Sequence, residues 1–446
     1  MPEQTVLIVG EVFIDTHLDI TDKNSPLVRL GGIFHSARAF ASLDLKYALA
    51  YYAPAYLDDD INEWSFHLNT KGCYKLGNIN RTPNVMLVSE SKEAGDQGYH
   101  NILKDQAEYI NIENIRKIVD FINPTDILLF PGRYDTGQIM ADLHDFVGKI
   151  HIDFHYDIDN ILGEADRKIE SIILSTSSDL YKNICNGSLD GLLEYFKNYK
   201  VRQFLVKENR GGSFCFLPTE KKLYEADSFY IPTMHSVGVG DVYNSIFIST
   251  LFGTDVVKRM RFAALCAAKY AETMYYKKFK DNVQTIYGNI DEFNDLIGIR
   301  LPWSERKHIN IYLAAPDFPE IDTGLLDRLK DSLLYHNFTP RLPVRENGIA
   351  TELLNNEEEL NIYHKDIILL NECDLLIAVL LFNDPGTLVE LGMFKQTGKP
   401  TIIFDPFNYC ENMFVCHTPD FLCKTIVEVI EKVYLCMGRS YSHDRL

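Results

Sequence analysis

The sequence predicts two successive α/β domains, and three observations predict them. At 446 residues the chain exceeds the roughly 250 to 300 residues beyond which a single hydrophobic core stops growing. From residue 115 onward, β-branched apolar runs alternate with helix-periodic text at the spacing of βαβ units, which implies a mainly parallel sheet covered on both faces. That series weakens at Gly298 to Lys307, where Pro302 stands among Arg300, Arg306 and Lys307, and then starts afresh. The boundary is placed there, giving domains 1–300 and 306–446.

The elements follow in order. Val6 to Val9 is a buried strand stopped by Gly10; after an excursion, Gly31-Gly32 turns the chain into a helix from Ile33 to Leu43. Alternation in YKLGNI, NVMLVSE and YHNILK, between about 73 and 104, predicts short antiparallel strands forming a small separate sheet. Helix IRKIVDFI, strand DILLFPG, helix QIMADLHDFV, and strands KIHIDF, Ser171 to Ser175 and VRQFLVKE come next, then apolar helices over Val242 to Phe252 and Val256 to Tyr276. The second domain reads as strand INIYLAAP, helix Gly324 to Tyr335, a polar acidic stretch Asn355 to Asn361, strand DLLIAVL, helix Thr387 to Thr397 and strand PTIIFDP. The run Glu357 to Glu359 reads as a solvated surface.

With 46% hydrophobic and 24% charged residues, the composition is that of a globular protein and not of a disordered one. A formal charge of -19 repels polyanions, which argues against general binding to nucleic acid or an anionic membrane unless a local basic patch overrides it. Small anions remain admissible, because helix starts bind them whatever the net charge. The nine cysteines are scattered and form no Cys-x-x-Cys pair, against both a disulfide framework and a structural zinc site. A reducing cytoplasm is the expected compartment. The N-terminus has no basic n-region, and no stretch reaches the roughly 18 apolar residues of a membrane span.

Two segments carry chemistry. In PTMHSVGVGDVYNS, Gly238 and Gly240 precede Asp241 and an apolar helix. Such a turn exposes backbone amides at a positive helix end and suits a phosphoryl group, while the aspartate can accept a hydroxyl proton. The plainer reading makes Asp241 a helix cap. In NECDLLIAVLLFNDPGTLVELGMFKQTGKP, a buried strand ends in a loop with Asp384, Gly386 and Thr387, and Glu390 lies within the next helix. Ligands of α/β sheets collect at the carboxyl ends of strands. The plainer reading here is a capping box, with Thr387 at the N-cap and Glu390 three residues on. His151, Asp153 and His155 share one strand face, but the end of a sheet strand is a commoner reason for that pattern than a metal.

The glycine-aspartate segment resembles the Gly-Ala-Gly-Asp signature of ribokinase-like (PfkB) carbohydrate kinases, and Gly31-Gly32 before a helix resembles their first signature. The resemblance implies a three-layer α/β domain with a small β lid. It implies Asp241 as base, Gly238, Val239 and Gly240 as anion hole, and Lys207, Gly211 and Gly212 in ATP-side loops. Asp15, Gly31 and Gly32 would hold substrate hydroxyls, with ATP and Mg2+ as cofactors. His235-Ser236 replaces the family's Asp-Thr, and Thr176-Ser177-Ser178-Asp179 stands where Asn-x-x-Glu is usual, leaving Asp179 as an indirect magnesium ligand.

The order Tyr312 (in INIYLAAPDF), Asp366, Asp384-Pro385-Gly386-Thr387-Leu388-Val389-Glu390 and Gly398-Lys399-Pro400 resembles the nucleoside 2-deoxyribosyltransferases. That resemblance implies a flavodoxin- or Rossmann-like parallel domain without a cofactor. Glu390 would be the nucleophile on the anomeric carbon, Asp384 and Asp366 the groups assisting the base, Tyr312 the residue placing Glu390, and Gly386 and Thr387 substrate contacts. Ala315 stands where glycine is frequent. The serine and glycine run of related monophosphate hydrolases is replaced by APDFPEID. The expected partners are nucleosides, nucleobases or sugars, together with further copies of the chain in a homo-oligomer. The expected activity is bifunctional, with two alternatives: a kinase-like half that only senses a nucleoside or nucleotide and regulates the transferase, or a scaffold without catalysis.

Overall fold

The computed structural model describes residues 3–22, 25–96, 98–154, 168–290, 296, 298–349 and 355–441. The chain divides into two compact units, one of residues 1–92, 97–300 and 440–446, the other of residues 93–96 and 301–439. Among the described residues no helix is long and apolar enough to cross a membrane.

The first unit runs β1 (Thr5–Glu11), β2 (Ile14–Asp22), β3 (Ser25–Leu30), α1 (Ile33–Ser42), β4 (Lys46–Ala53), α2 (Asp58–His67), β5 (Cys73–Asn80), β6 (Val85–Val88), β7 (Tyr99–Asn101), β8 (Glu108–Asn111), α3 (Ile115–Ile122), β9 (Asp126–Leu129), α4 (Thr136–Asp142), β10 (Lys149–Phe154) and β11 (Lys168–Ser175). It continues with α5 (Leu189–Tyr195), β12 (Lys200–Lys207), β13 (Ser213–Leu217), β14 (Lys222–Ala226), α6 (Val239–Ile248), α7 (Val256–Ala271), α8 (Tyr276–Gly288) and β15 (Gly298–Arg300). A ten-stranded sheet has the order β14-β13-β12-β11-β10-β9-β1-β4-β5-β8. It is parallel from β12 through β5 and antiparallel at both margins. The crossover β1-α1-β4 travels one way along the sheet and β9-α4-β10 the other. Right-handed crossovers therefore put α1 and α4 on opposite faces, a three-layer arrangement. All ten residues of α1 are buried, as a helix packed on every side requires. Fully buried Phe34, Phe40 and Phe247 each contribute about 2 to 3 kcal/mol of apolar burial.

The small sheet is β3-β2-β6-β7. Two expectations are corrected here. The excursion before Gly31 is itself the β2–β3 hairpin, and YKLGNI is β5 of the large sheet, paired parallel with β4. Period-two alternation reports a strand but not which sheet receives it.

The second unit opens with α9 (Trp303–Arg306) and runs β16 (Asn310–Ala314), α10 (Gly324–Tyr335), β17 (Thr339–Arg341), α11 (Pro343–Asn347), α12 (Asn356–Glu372), β18 (Leu375–Val379), α13 (Pro385–Lys395), β19 (Thr401–Phe404), α14 (Met413–His417), β20 (Phe421–Cys423) and α15 (Ile426–Met437). Its five strands are all parallel in the order β17-β16-β18-β19-β20, a flavodoxin-like winding whose strand order reverses between β16 and β18. All five residues of β18 are buried, as they must be in a strand covered on both faces. Alternate residues feed opposite cores: Ile311, Leu313, Leu375 and Ile377 join one cluster, while Tyr312, Ala314, Leu376 and Ala378 join another with Leu391 and Phe394 of α13. Strand alternation thereby puts Tyr312 under α13. The acidic run Glu357 to Glu359 is the first turn of α12, where Asn355 and Glu358 close a capping box; acidic side chains are favoured at that positive end.

Candidate active site

Asp384, at the carboxyl end of β18, is the N-cap of α13, and Pro385 takes the first helical position. Proline is pre-set for that place, and aspartate caps better than threonine. One Asp384 oxygen, Oδ2, accepts both the Thr387 amide and the Thr387 hydroxyl at 2.7 Å. Thr387 is therefore inside the first turn and is not the N-cap, and the capping-box reading of Glu390 is overturned. Glu390 lies one turn further along, and its Oε1 accepts a 2.8 Å hydrogen bond from the Tyr312 hydroxyl.

Tyr312 is fully buried, whereas Glu390, Asp366 and Asp384 are half-buried. Burial above all pushes the Glu390 carboxyl up to about 7; the Tyr312 bond opposes this, and the charges of Asp366 and Asp384 add to it. Burial likewise raises Asp366, against a 2.8 Å hydrogen bond donated to its Oδ1 by the Asn347 amide. Burial and the neighbouring Glu390 charge hold the Tyr312 phenol protonated, so it stays a donor. The structure thus brings Tyr312, Asp366, Asp384 and Glu390 within electrostatic reach of one another. Buried Thr387 and exposed Gly386 stand on the same turn.

Asn347 is a site residue that sequence reasoning missed; its Asn-Gly text signals only a helix stop. Arg345 was missed too: it donates to Asp317 at 2.5 and 3.0 Å and to Asp327 at 2.6 Å, fastening the chain that follows β16.

In the first unit, Gly238 adopts a left-handed φ of 73° as N-cap of α6, and half-buried Val239, Gly240 and Asp241 form its first turn. Lys207 is buried, with Nζ 3.5 Å from Asp153 Oδ2 and 3.1 Å from where a Cβ on Gly240 would lie. The structure therefore gathers Lys207 and the Gly238–Asp241 turn.

The remaining residues are each engaged by neighbouring side chains or backbone. Gly211 and Gly212 form the buried turn between β12 and β13, where Arg300 donates to the Gly211 carbonyl at 2.7 Å and a side chain at Gly212 would strike the Ala226 carbonyl. They turn the β12–β13 hairpin. Asp15 is 3% exposed and paired with His35 Nε2 at 2.9 Å and Arg29 Nε at 3.9 Å; burial would raise its carboxyl, but these partners hold it below the usual range. His35 in turn meets the Tyr270 hydroxyl at 2.8 Å, and His17, His235 and Tyr270 fill the surroundings. A Cβ at Gly31 would lie 2.2 Å from the Asp15 carboxylate, and one at Gly238 2.1 Å from the His35 ring. Gly32 turns the chain into α1 at a φ of 59°. Asp15, Gly31 and Gly32 are packed against the protein itself in this arrangement.

Asp179 is exposed beside Asn183. His151 is engaged by Ser171 at 2.8 Å and Asp126 at 3.2 Å, and Asp153 accepts from Asn244 at 2.5 Å; His155 lies outside the described residues. Among the described residues no three His, Cys, Asp or Glu side chains converge as metal ligands. A magnesium ion at Asp179 would therefore meet one exposed carboxylate and be held otherwise by water and phosphate oxygens.

Residues 311–420 match the family model for nucleoside 2-deoxyribosyltransferases. No curated protein matches the chain. Among solved structures, ribokinase from Arabidopsis thaliana complexed with ribose and ATP is 14% identical with a TM-score of 0.46, over 64% of this chain and 98% of that one. Ribokinase from Thermotoga maritima is 16% identical with a TM-score of 0.45, over 64% and 100%. A putative ribokinase II from E. coli in complex with ATP and Mg2+ is 11% identical with a TM-score of 0.46, over 64% and 99%.

Proposed function

Taking a nucleoside 2-deoxyribosyltransferase domain at residues 311–420 as premise, we propose that the second unit cleaves or exchanges the N-glycosidic bond of 2-deoxynucleosides with Glu390 as nucleophile. The observation that carries this is the 2.8 Å bond from Tyr312 to Glu390 Oε1, which favours the carboxylate and leaves the other oxygen for attack. The bond between the anomeric carbon and the base nitrogen breaks as a glutamyl ester forms. The base leaves with the electron pair and takes a proton from Asp366, whose proton affinity burial raises. A second base, or water, then displaces Glu390 and returns the proton, with net retention. Asp384 supports the positive charge developing at the sugar while holding α13 in place. The chemistry asks for no cofactor, since one carboxylate and one carboxylic acid complete it. Arg341 and Arg345 are already engaged with carboxylates, which favours an uncharged nucleoside over a nucleotide. A homo-oligomer is part of the proposal by family likeness.

For the first unit the proposal is phosphate transfer from ATP to a sugar or nucleoside hydroxyl, with the Gly238–Gly240 turn and Lys207 receiving the phosphates and Asp241 as base. A second reading is favoured by the sealed Asp15–His35 pair: the unit binds a nucleotide and regulates its partner without transferring phosphate.

The test incubates mixed deoxynucleosides and free bases with the protein, with and without ATP and magnesium, followed by chromatography. New deoxynucleosides, absent with Glu390→Gln, are expected; no glycosidic turnover in any mixture overturns the proposal. ATP-dependent phosphorylated products that vanish with Asp241→Asn support the kinase reading, and their absence from the wild type selects the sensor.

A further inference from the structure

Two sulfurs face one another on the segment that follows β19. Cys410 Sγ lies 2.9 Å from Cys416 Sγ, and Cys416 Sγ lies 2.9 Å from the Cys410 carbonyl oxygen. Both residues are partly exposed, unlike the buried Cys185, Cys215, Cys266, Cys373 and Cys423.

The backbone around them is built, not slack. Asp405, fully buried at the end of β19, accepts the Tyr409 amide at 2.8 Å, the Cys410 amide at 3.0 Å and Lys424 Nζ at 2.8 Å. At the other end Asn412 caps α14 through the Phe414 amide at 2.9 Å, and its carbonyl accepts the Cys416 amide at 2.9 Å. Each thiol is therefore held by its own anchor, and the two anchors aim the sulfurs at each other. Disulfide formation needs that juxtaposition more than any other condition, because its geometry is specific.

We propose that Cys410 and Cys416 form an oxidisable dithiol that closes to an intramolecular disulfide under a peroxide or glutathione disulfide. With a peroxide, one thiolate attacks the O–O bond to give a sulfenic acid and hydroxide, and the other thiol displaces the sulfenic oxygen as water. Two S–H bonds are lost, one S–S bond forms, and the peroxide gains the two electrons. With glutathione disulfide the same pair is oxidised through a mixed disulfide and two glutathione thiols leave. Burial, then the neighbouring Cys416, pushes the Cys410 thiol up to about 12, so closure is slow at neutral pH and quickens in alkali, where more thiolate attacks.

Closure ties α14 to the start of its own loop. Cys410 and Val415 pack against the cluster that contains Tyr312 and Leu391, so the oxidised loop is a stiffer flank behind that tyrosine. Exposed Phe407, Tyr409, Met413 and Phe414 make its mobility readable with chymotrypsin.

The test equilibrates the full chain with reduced glutathione alone or with added glutathione disulfide, then alkylates it and maps peptides without reduction. A peptide linking Cys410 to Cys416 is expected, with alkylatable thiols falling from nine to seven. Cys416→Ser is expected to leave Cys410 carrying one glutathione. Chymotrypsin is expected to cut the 407–414 loop roughly fivefold more slowly after oxidation, since local opening sets the cleavage rate. Alkylation of both Cys410 and Cys416 after oxidation, separate glutathione adducts on both cysteines, an unreacted Cys410 in the Ser variant, or equal cleavage rates would each overturn the proposal. None of these readouts uses glycosyl transfer, so the dithiol stands or falls apart from the proposed activity.

Discussion

The Tyr312 hydroxyl reaches Glu390 from the opposite layer of the second unit: the donor rises from a central strand, the acceptor descends from α13, and they meet at 2.8 Å. A hydrogen bond to the charged form lowers a carboxyl's proton affinity, and here it works against burial. A nucleophilic Glu390 must be ionised, so kcat/KM should rise with pH up to about 7. Tyr312→Phe removes the opposing bond, and the rising limb should move to higher pH by roughly one unit, the worth of one charge-assisted hydrogen bond. A pH–rate profile with an unmoved limb would refute the placement of Tyr312.

Glu390→Gln keeps an oxygen for Tyr312 but cannot form the ester. Base exchange should fall by at least about 10^3-fold, or roughly 4 kcal/mol of barrier, while the thermal unfolding midpoint stays near that of the wild type. Chromatography of exchange products beside a melting curve separates the two effects.

Asp366→Asn should cost about 10^2- to 10^4-fold on natural nucleosides, the usual worth of a positioned acid. A deoxyriboside with a nitrophenolate leaving group, which needs no proton, should be hydrolysed at nearly the wild-type rate. Equal losses on both substrates would assign Asp366 a structural part instead.

Asn347→Ala removes the bond that lowers Asp366. An acid must be protonated to act, so a stronger hold on that proton should change the pH profile in the direction of more activity at higher pH. A drop in rate with an unchanged profile would make Asn347 a packing residue only.

In the first unit, Glu11 is 7% exposed, and its carboxyl is pushed up to about 7 by burial, against bonds from the Arg133 amide and Tyr109. The folded state then holds the proton more tightly than the unfolded state. The stability Glu11 allows is full below about 4.5 and is lost as pH rises to about 7. Glu11→Gln should be nearly neutral at pH 4.5 and more stable by up to about 3 kcal/mol at pH 8. Urea unfolding at the two pH values measures the difference.

Much of the second unit was legible because its strands are apolar runs and Asp384 and Glu390 sit at the end of one of them. The cap was misassigned because Thr387 and Glu390 have capping-box spacing, while Pro385, the stronger sign of a helix start, stands three residues after Phe382 in polar text. Asn347 was not legible, since its partner Asp366 is 19 positions away and only the packing of α11 on α12 joins them. In the first unit, the β2–β3 hairpin hides in the mixed text IDTHLDITD, and Gly211-Gly212 looks identical whether it cradles a phosphate or turns a hairpin. The sealing of Asp15 depended on His35, Arg29, Tyr270 and His235, residues from distant stretches that no local pattern connects.

The contact between Gly238 and the His35 ring leaves room for a hydrogen atom and nothing larger. A guest that touches the buried Asp15 carboxylate must first part side chains that now pack on it. Uptake by this half of the chain would then obey the clock of the protein and not that of diffusion: in stopped-flow mixing, the observed rate would level off with rising ligand concentration at the frequency of that spontaneous parting.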